Sequence, residues 1–315
     1  MSIGTIDNLT LYTLSEDYTG YDSLFWASFG ISFLLQIQSG GGRKTVLFDT
    51  ASDSEPILHN MKLLQLSPKD IDMIILSHRH FDHTGGLAGI LSEIEKEEVP
   101  IIAHPRIFDI TVNAEPYMES YRSRIYLNEG LSVKNSKENI ESLGGKWYAV
   151  RDPFRIMPGV MTTGEIEEEA KVSYEKNPHL NLLDIREGGL TQASVLDDIS
   201  LCINIDDSLI VVTGCSHAGI VSITKKAMRI MGVKKVRSII GGFHLIDADD
   251  VVIDKTMKDL ADMKIDRIYS GHCTGIKAEH LLRQVFEDRF ERLHSGKIIS
   301  FPTTPRSPIP SQPDS

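Results

Sequence analysis

The sequence predicts a mixed α/β fold in which short buried strands end in polar, glycine-rich turns and feed helices. Three observations carry this. The aliphatic run Ile71-Asp72-Met73-Ile74-Ile75-Leu76 breaks at Ser77-His78-Arg79-His80-Phe81-Asp82-His83-Thr84-Gly85-Gly86, and so short a run before a Gly-rich turn fits a strand better than a helix. The same order recurs where Leu209-Ile210-Val211-Val212 gives way to Thr213-Gly214-Cys215-Ser216-His217-Ala218-Gly219, ahead of a helical pattern from Ile220 to Met231. Third, Val236 to Ile240, a helix over Asp250 to Met263, and Ile265 to Tyr269 form a strand–helix–strand unit. A histidine follows each of its strands, His244 and His272.

Taken in order, Leu9 to Leu14 is a first strand, and Phe29 to Gln38 pairs with Thr45 to Phe48 around the turn Ser39-Gly40-Gly41-Gly42-Arg43. Asp49 ends that hairpin. Glu55 to Leu66 has helical apolar spacing through Ile57, Leu58, Met61 and Leu64, and Ser67-Pro68 stops it. Gly86 to Lys96 is a helix, and Pro100 to Ala103 a buried strand ending at His104. His104 therefore lies on the rim where the first histidine loop lies, as a substrate contact or an ordinary loop histidine. From 105 to 197 the pattern weakens, which is where a lid or cap would sit. Here Arg106, Arg122, Arg124 and Lys134 could meet an anionic group, Glu165-Ile166-Glu167-Glu168-Glu169 reads as a solvated or mobile face, and Asn177-Pro178-His179 as a loop. Ile199 to Ile205 and Ser208 to Thr213 make a second hairpin. Residues 1–301 thus read as one domain, and 302–315 as a Pro- and Ser-rich tail without a core-forming pattern.

Composition bounds the function. With 41% hydrophobic and 24% charged residues, the 315-residue chain can bury a large core. A net charge of −11 argues against a general nucleic-acid or anionic-membrane binder. Cys202, Cys215 and Cys273 are too few and scattered for a disulfide scaffold, which favours a reducing cytoplasm. The N-terminal residues show no signal-peptide pattern, and no run approaches the ~18 apolar residues of a membrane span.

The chemistry concentrates in the first histidine loop. His78 and His80, two apart, can point into one cleft as the chain leaves its strand, while Asp82 and His83 come from the following turn and can serve a second centre. Imidazole nitrogens and a carboxylate oxygen are donors that zinc, iron and manganese accept. Three histidines within six residues, in a chain with 11 in all, mark a metal site rather than a chance surface cluster.

His78-x-His80-x-Asp82-His83-x-Gly85-Gly86 resembles the signature of the metallo-β-lactamase superfamily. Leu47-Phe48-Asp49-Thr50 extends the similarity. Gly214-Cys215-Ser216-His217-Ala218-Gly219, Gly241-Gly242-Phe243-His244-Leu245 and Gly271-His272-Cys273-Thr274-Gly275 resemble a narrower branch, the 7,8-dihydropterin-6-methyl-4-(β-D-ribofuranosyl)-aminobenzene-5'-phosphate synthase-like proteins. The resemblance spans roughly residues 10 to 300. It implies an αββα sandwich, with a cap inserted after the first metal motif, and two divalent metal ions. Zinc is the expected metal, with manganese or iron as alternatives; His80 stands where di-iron members carry a glutamate, which favours zinc.

The resemblance also implies the ligands. His78, His80 and His217 would hold one metal, and Asp82, His83 and His272 the other. Cys215 falls where members carry a bridging aspartate or a cysteine ligand, with a small buried residue as the other reading. The usual third-motif histidine is missing before the second hairpin, where Asp197 and Asp198 stand; Asp197 is a further candidate ligand. Asp49 would orient ligands from beneath, or cap the following helix. His244 would be a ligand, or an acid and substrate contact. The expected activity is hydrolysis of a phosphodiester or another phosphate-containing small molecule by a metal-bound hydroxide, since coordination lowers the pKa of water from 15.7 to about 7. Asp82 would double as proton acceptor. Two alternatives differ in class: a phosphoribosyl-transferring synthase of the methanopterin-pathway type, and a non-hydrolytic ligand-binding member of the fold.

Overall fold

The computed structural model describes residues 3–113, 129–175 and 182–303. Arg122, Arg124, the Asn177-Pro178-His179 loop and the tail beyond residue 303 lie outside the described residues. The strands are β1 (Asn8–Ser15), β2 (Ser32–Ser39), β3 (Gly42–Phe48), β4 (Met73–Ile75), β5 (Val99–Ala103), β6 (Thr111–Asn113), β7 (Gly145–Ala149), β8 (Arg155–Met157) and β9 (Val160–Thr162). They continue as β10 (Leu182–Arg186), β11 (Gly189–Gln192), β12 (Leu201–Ile205), β13 (Ser208–Val212), β14 (Lys235–Gly242), β15 (Arg267–Gly271), β16 (Phe290–Arg292) and β17 (Ile298–Pro302).

Strand alternation builds the layers. In β2 and β3, Phe33, Leu35, Val46 and Phe48 face one way, and Leu34 and Leu47 the other; in β12 and β13, Ile203, Ile210 and Val212 oppose Cys202, Leu209 and Val211. The first set from each pair of strands joins one central core between two seven-stranded sheets. The outer faces pack under helices, Ser54–Leu63 and Leu87–Ile94 on one side, Ile220–Met231, Asp250–Asp262 and Ile276–Phe286 on the other. The result is the four-layer αββα sandwich. Both faces of each sheet are covered, so its central strands read as apolar runs.

The sheet orders are β17-β1-β2-β3-β4-β5-β7 and β16-β15-β14-β13-β12-β9-β8. β3, β4, β5 and β7 run parallel, as do β13, β14, β15 and β16. Parallel strands direct their carboxyl ends to one edge, and ligands bind beyond such ends in open α/β sheets. Asp49, Ser77, Thr213 and His272 each fall within two residues after a strand of this set. β17 closes the first sheet against β1, pairing Leu9 with Phe301 and Leu11 with Ile299. The sequence pattern does not reveal this short strand, because its partner lies at the other end of the chain.

The weakly patterned segment 105–197 divides. β7 extends the first large sheet and β8 and β9 the second, while β6, β10 and β11 form a separate three-stranded sheet. That small sheet is tied to the histidine loop by Arg79, whose side chain is fully buried. Its guanidinium donates to Thr111 Oγ1 at 2.7 Å and Asp184 at 3.0 Å, and it also pairs with Asp197. Arg106 and Arg186 reach the second Asp184 oxygen at 3.1 and 2.8 Å. Glu165 does not join a solvated acidic face: it is buried between His104 at 3.1 Å and Arg151 at 2.8 Å. No described helix is long and apolar enough to cross a membrane.

Asp184 is 1% exposed and serves three arginines. Removing one partner from a buried ion network strands the charges that remain. Asp184→Ala should therefore lower the unfolding free energy by about 3–5 kcal/mol in urea denaturation. A loss under about 1 kcal/mol would mean that Asp197 alone satisfies Arg79.

Candidate metal centre

The site is assembled from the turns that follow β3, β4, β13, β14 and β15. After β3 the chain enters the left-handed region at Asp49, with φ of 59°. Its carboxylate accepts from the Ser77 backbone N–H at 2.6 Å and the Ser77 hydroxyl at 2.7 Å, and meets His83 Nδ1 at 2.7 Å. The helix that follows is capped by Asp53, not Asp49. Gly214 makes room above this pair, since a Cβ there would lie 2.3 Å from Ser77 Oγ and 2.8 Å from Asp49 Oδ2.

These contacts fix imidazole tautomers. His83 donates its Nδ1 proton to Asp49, which leaves Nε2 facing Cys215 Sγ at 3.0 Å. The Ser77 hydroxyl proton is committed to Asp49, so its oxygen accepts from His78 Nδ1 at 2.9 Å and leaves His78 Nε2 facing His217 Nε2 at 3.1 Å. His272 Nδ1 donates to Asp17 at 3.1 Å, and its Nε2 lies 3.2 Å from Asp82. An outer N–H held by a carboxylate or hydroxyl and an inner lone pair is the arrangement of metal-ligating histidines.

Two donor groups result. Asp82, His83, Cys215 and His272 place their donor atoms within 4.8 Å of one another, as do His78, Cys215 and His217. Cys215 belongs to both. The His80 ring completes the second group's surroundings, with centroids 4.6 Å from His78 and 4.8 Å from His217. Imidazole, carboxylate and thiolate suit zinc, iron or other first-row divalent ions. Donor atoms this close need a proton or a cation between them, and a divalent cation can take the place of the ring and thiol protons, so the residues present fit a metal centre.

Electrostatics agree. Burial, helped by the charges of His83 and His80, holds the His78 imidazole well below its usual range, so it is neutral. Burial works against ionising Asp82, but His83 and His272 outweigh it and hold the carboxyl below the usual range. Burial likewise opposes a proton on His83, yet Asp82 and Asp49 raise its pKa; the same negative field favours a cation. His244 lies outside both groups, its ring 4.1 Å from His217, and burial followed by the charge of His272 pushes it down to about 4.

The structure therefore brings His78, His80, Asp82, His83, Cys215, His217 and His272 together, with Asp49 beneath and His244 beside them. It places two other residues elsewhere. Asp197 is occupied by the Arg79 guanidinium and backbone N–H, outside both donor groups. His104 accepts from the Arg106 N–H at 3.2 Å and donates to Glu165, so both ring nitrogens are committed within the protein. Among the described residues, the imidazole that faces His78 Nε2 is that of His217. Sequence reading does not find Asp17 or Glu16. Asp17 orients His272, and Glu16 accepts the His272 backbone N–H at 2.7 Å. Their loop has no periodicity or motif, and bonds to distant segments, from Gly30 to Asp17 and between Glu16 and Ser295, hold it at the site.

Replacing Asp49 by Ala removes the acceptor that sets the His83 tautomer and, through Ser77, that of His78. Metal affinity should fall by about 10–100-fold, measured by competition with a chromophoric chelator. Unchanged affinity would show that packing alone orients these rings.

Comparison with known proteins defines the family. The metallo-β-lactamase superfamily model matches residues 28–136. The chain is 52% identical over 301 residues to the 7,8-dihydropterin-6-methyl-4-(β-D-ribofuranosyl)-aminobenzene-5'-phosphate synthase of Methanocaldococcus jannaschii, covering 96% of this chain and 99% of the relative. An uncharacterized protein of the same organism is 27% identical over 286 residues, 90% of this chain and 97% of its own. Among solved structures, a metal-dependent hydrolase of the β-lactamase superfamily superposes with a TM-score of 0.74 at 20% identity, covering 93% of this chain and 99% of the other. That likeness speaks to the fold alone. The synthase relative overturns the expectation of a phosphodiesterase-like hydrolase and backs the synthase alternative instead. The expectation rested on histidine motifs common to a superfamily of many chemistries, and ligands alone do not select among reactions. The chain belongs to the metallo-β-lactamase superfamily, in the branch of the 7,8-dihydropterin-6-methyl-4-(β-D-ribofuranosyl)-aminobenzene-5'-phosphate synthase-like proteins.

Proposed function

We propose that this chain is a synthase that joins a dihydropterin to a ribofuranosyl-aminobenzene 5'-phosphate. The observation that carries the reading is 52% identity to the named synthase along nearly the whole of both chains. The name of that relative's product has three parts: a dihydropterin with a 6-methyl carbon, an aminobenzene, and a ribofuranosyl 5'-phosphate. The sequence reading offers phosphoribosyl transfer as the synthase step. The pterin in the product favours the bond between its 6-methylene carbon and the arylamine nitrogen.

That bond forms by displacement. The arylamine lone pair attacks the methylene carbon, the bond from that carbon to its leaving-group oxygen breaks, and the nitrogen then sheds a proton. A methylene carbon releases only a stable anion readily, so the leaving group is of the phosphate or diphosphate ester class. Divalent metal ions, when bound, supply positive charge that stabilises the departing anion. We assign His78, His80 and His217 to hold one ion and Asp82, His83 and His272 the other, with Cys215 between. The mixed imidazole–thiolate set favours zinc, with iron or manganese as alternatives.

The chain's own groups do the rest. Asp49, Ser77 and Asp17 hold the donor rings in one orientation before substrate arrives. His244, adjacent to the cluster but in neither donor group, is assigned to receive the arylamine proton. Asp82 faces His83 and His272 and is assigned to the metal rather than to proton transfer. Substrates that carry phosphate fit a small-molecule, anionic reading of the site.

Metal-reconstituted protein, given a 7,8-dihydropterin bearing a 6-methylene diphosphate ester together with 4-(β-D-ribofuranosyl)aminobenzene 5'-phosphate, should yield the coupled product by mass spectrometry. Product should require both compounds and metal, and should fall about a hundredfold or more in His80→Ala. Absence of coupling by fully metallated protein would overturn the reading.

A further inference from the structure

The large aromatic side chain of Phe29 lies against the donor His272 without being buried. Phe29 is 48% exposed, yet its backbone is fixed. Its carbonyl accepts from the Ser52 N–H at 3.1 Å, and the next residue, Gly30, donates its N–H to Asp17 at 3.0 Å. Gly30 has φ of 99° and sits so close to the histidine loop that a Cβ would lie 1.8 Å from the Asp82 carbonyl oxygen. The Phe29 ring is flanked by His272, centroids 5.4 Å apart, and by Phe81 at 5.7 Å, both tilted against it. Across the His244 and Cys273 turns, the exposed side chain of Ile246 follows His244, and its N–H donates to the Cys273 carbonyl at 3.1 Å.

A half-exposed phenyl ring costs hydration without repaying it in core packing. Here the next residue, Gly30, donates its N–H to Asp17, the carboxylate that also meets the donor His272, and the Phe29 ring itself lies against the His272 ring. A rigid aromatic face beside reacting groups positions planar ligands at little entropic cost.

We infer that Phe29 is the stacking platform for a planar ring of the substrates, holding that ring beside the donor group of Asp82, His83, Cys215 and His272. This rests on the synthase reading, in which both reactants carry a flat π system. Phe29 is thus a positioning and specificity residue, and it takes no part in holding metal.

The test is equilibrium binding to metal-loaded protein by calorimetry, with each reactant alone. One probe is 6-hydroxymethyl-7,8-dihydropterin, which has no leaving group; the other is 4-(β-D-ribofuranosyl)aminobenzene 5'-phosphate. Phe29→Ala and Phe29→Leu should weaken one of the two by about tenfold, the loss of one aromatic stack, and leave the other within about twofold. Phe29→Tyr should bind both as the wild type does, and metal content should be equal in all four proteins. The probe that weakens identifies which ring uses the platform. Equal binding by Phe29→Ala, or a loss that tracks lost metal, overturns the platform and leaves the synthase reading standing. Wild-type protein that binds neither compound overturns both.

Discussion

The site depends on one buried carboxylate. Asp49 reaches His83 directly and His78 through Ser77, one residue from each of the two donor groups, so a single side chain sets the tautomers of both. It does so from a left-handed backbone position, and the neighbouring turns repeat the feature at Ser216, His244 and His272, with φ between 47° and 62°. Non-glycine residues held there cost of order 1–3 kcal/mol each and persist only where the surrounding structure over-determines them. Two seven-stranded sheets with parallel strand ends at one edge provide that surrounding. The strain is the cost of turning four of the five loops sharply enough to converge on one point.

The small sheet of β6, β10 and β11 is coupled to this centre through the residue between two of its histidines. Arg79 points away from the donors into Asp184, Thr111 and Asp197, so the segment after the first histidine loop and the loop itself share a buried ion network. Glu175 does the same for the second half of the site. Its carboxylate accepts from the N–H groups of Val221 and Ser222, at the start of the helix that follows the Cys215–His217 turn. An anionic cap at that helix start is favourable in itself and also fixes where the turn must end. Residues outside the two large sheets thus hold both donor-bearing loops in place.

Much of this was legible in the sequence, and the reasons differ by element. The helix from Ile220 to Met231 has the bounds read from its apolar spacing, because one face is buried throughout and Gly232 ends it in the left-handed conformation. The histidine loops were legible because metal donors cluster locally. Asp17 and Phe29 were not, since each acts through contacts made only when distant segments close. β17 was hidden for the same reason, and Asp197 was misleading: beside a missing motif it reads as a ligand, whereas its partner is an arginine inside another motif. Local pattern gives the donors; long-range packing gives their orientation. The reaction lies at a third level, since one fold and its donor residues do not select among chemistries.

The claim from which the rest follows is that the two donor groups are one centre sharing Cys215. Anomalous diffraction from crystals grown with zinc, at energies on either side of its absorption edge, tests it most directly. The account predicts two peaks, one within coordination distance of His78, His80 and His217, the other of Asp82, His83 and His272, with Cys215 Sγ between them. A single peak remote from Cys215, or none in protein that carries metal in solution, would contradict it.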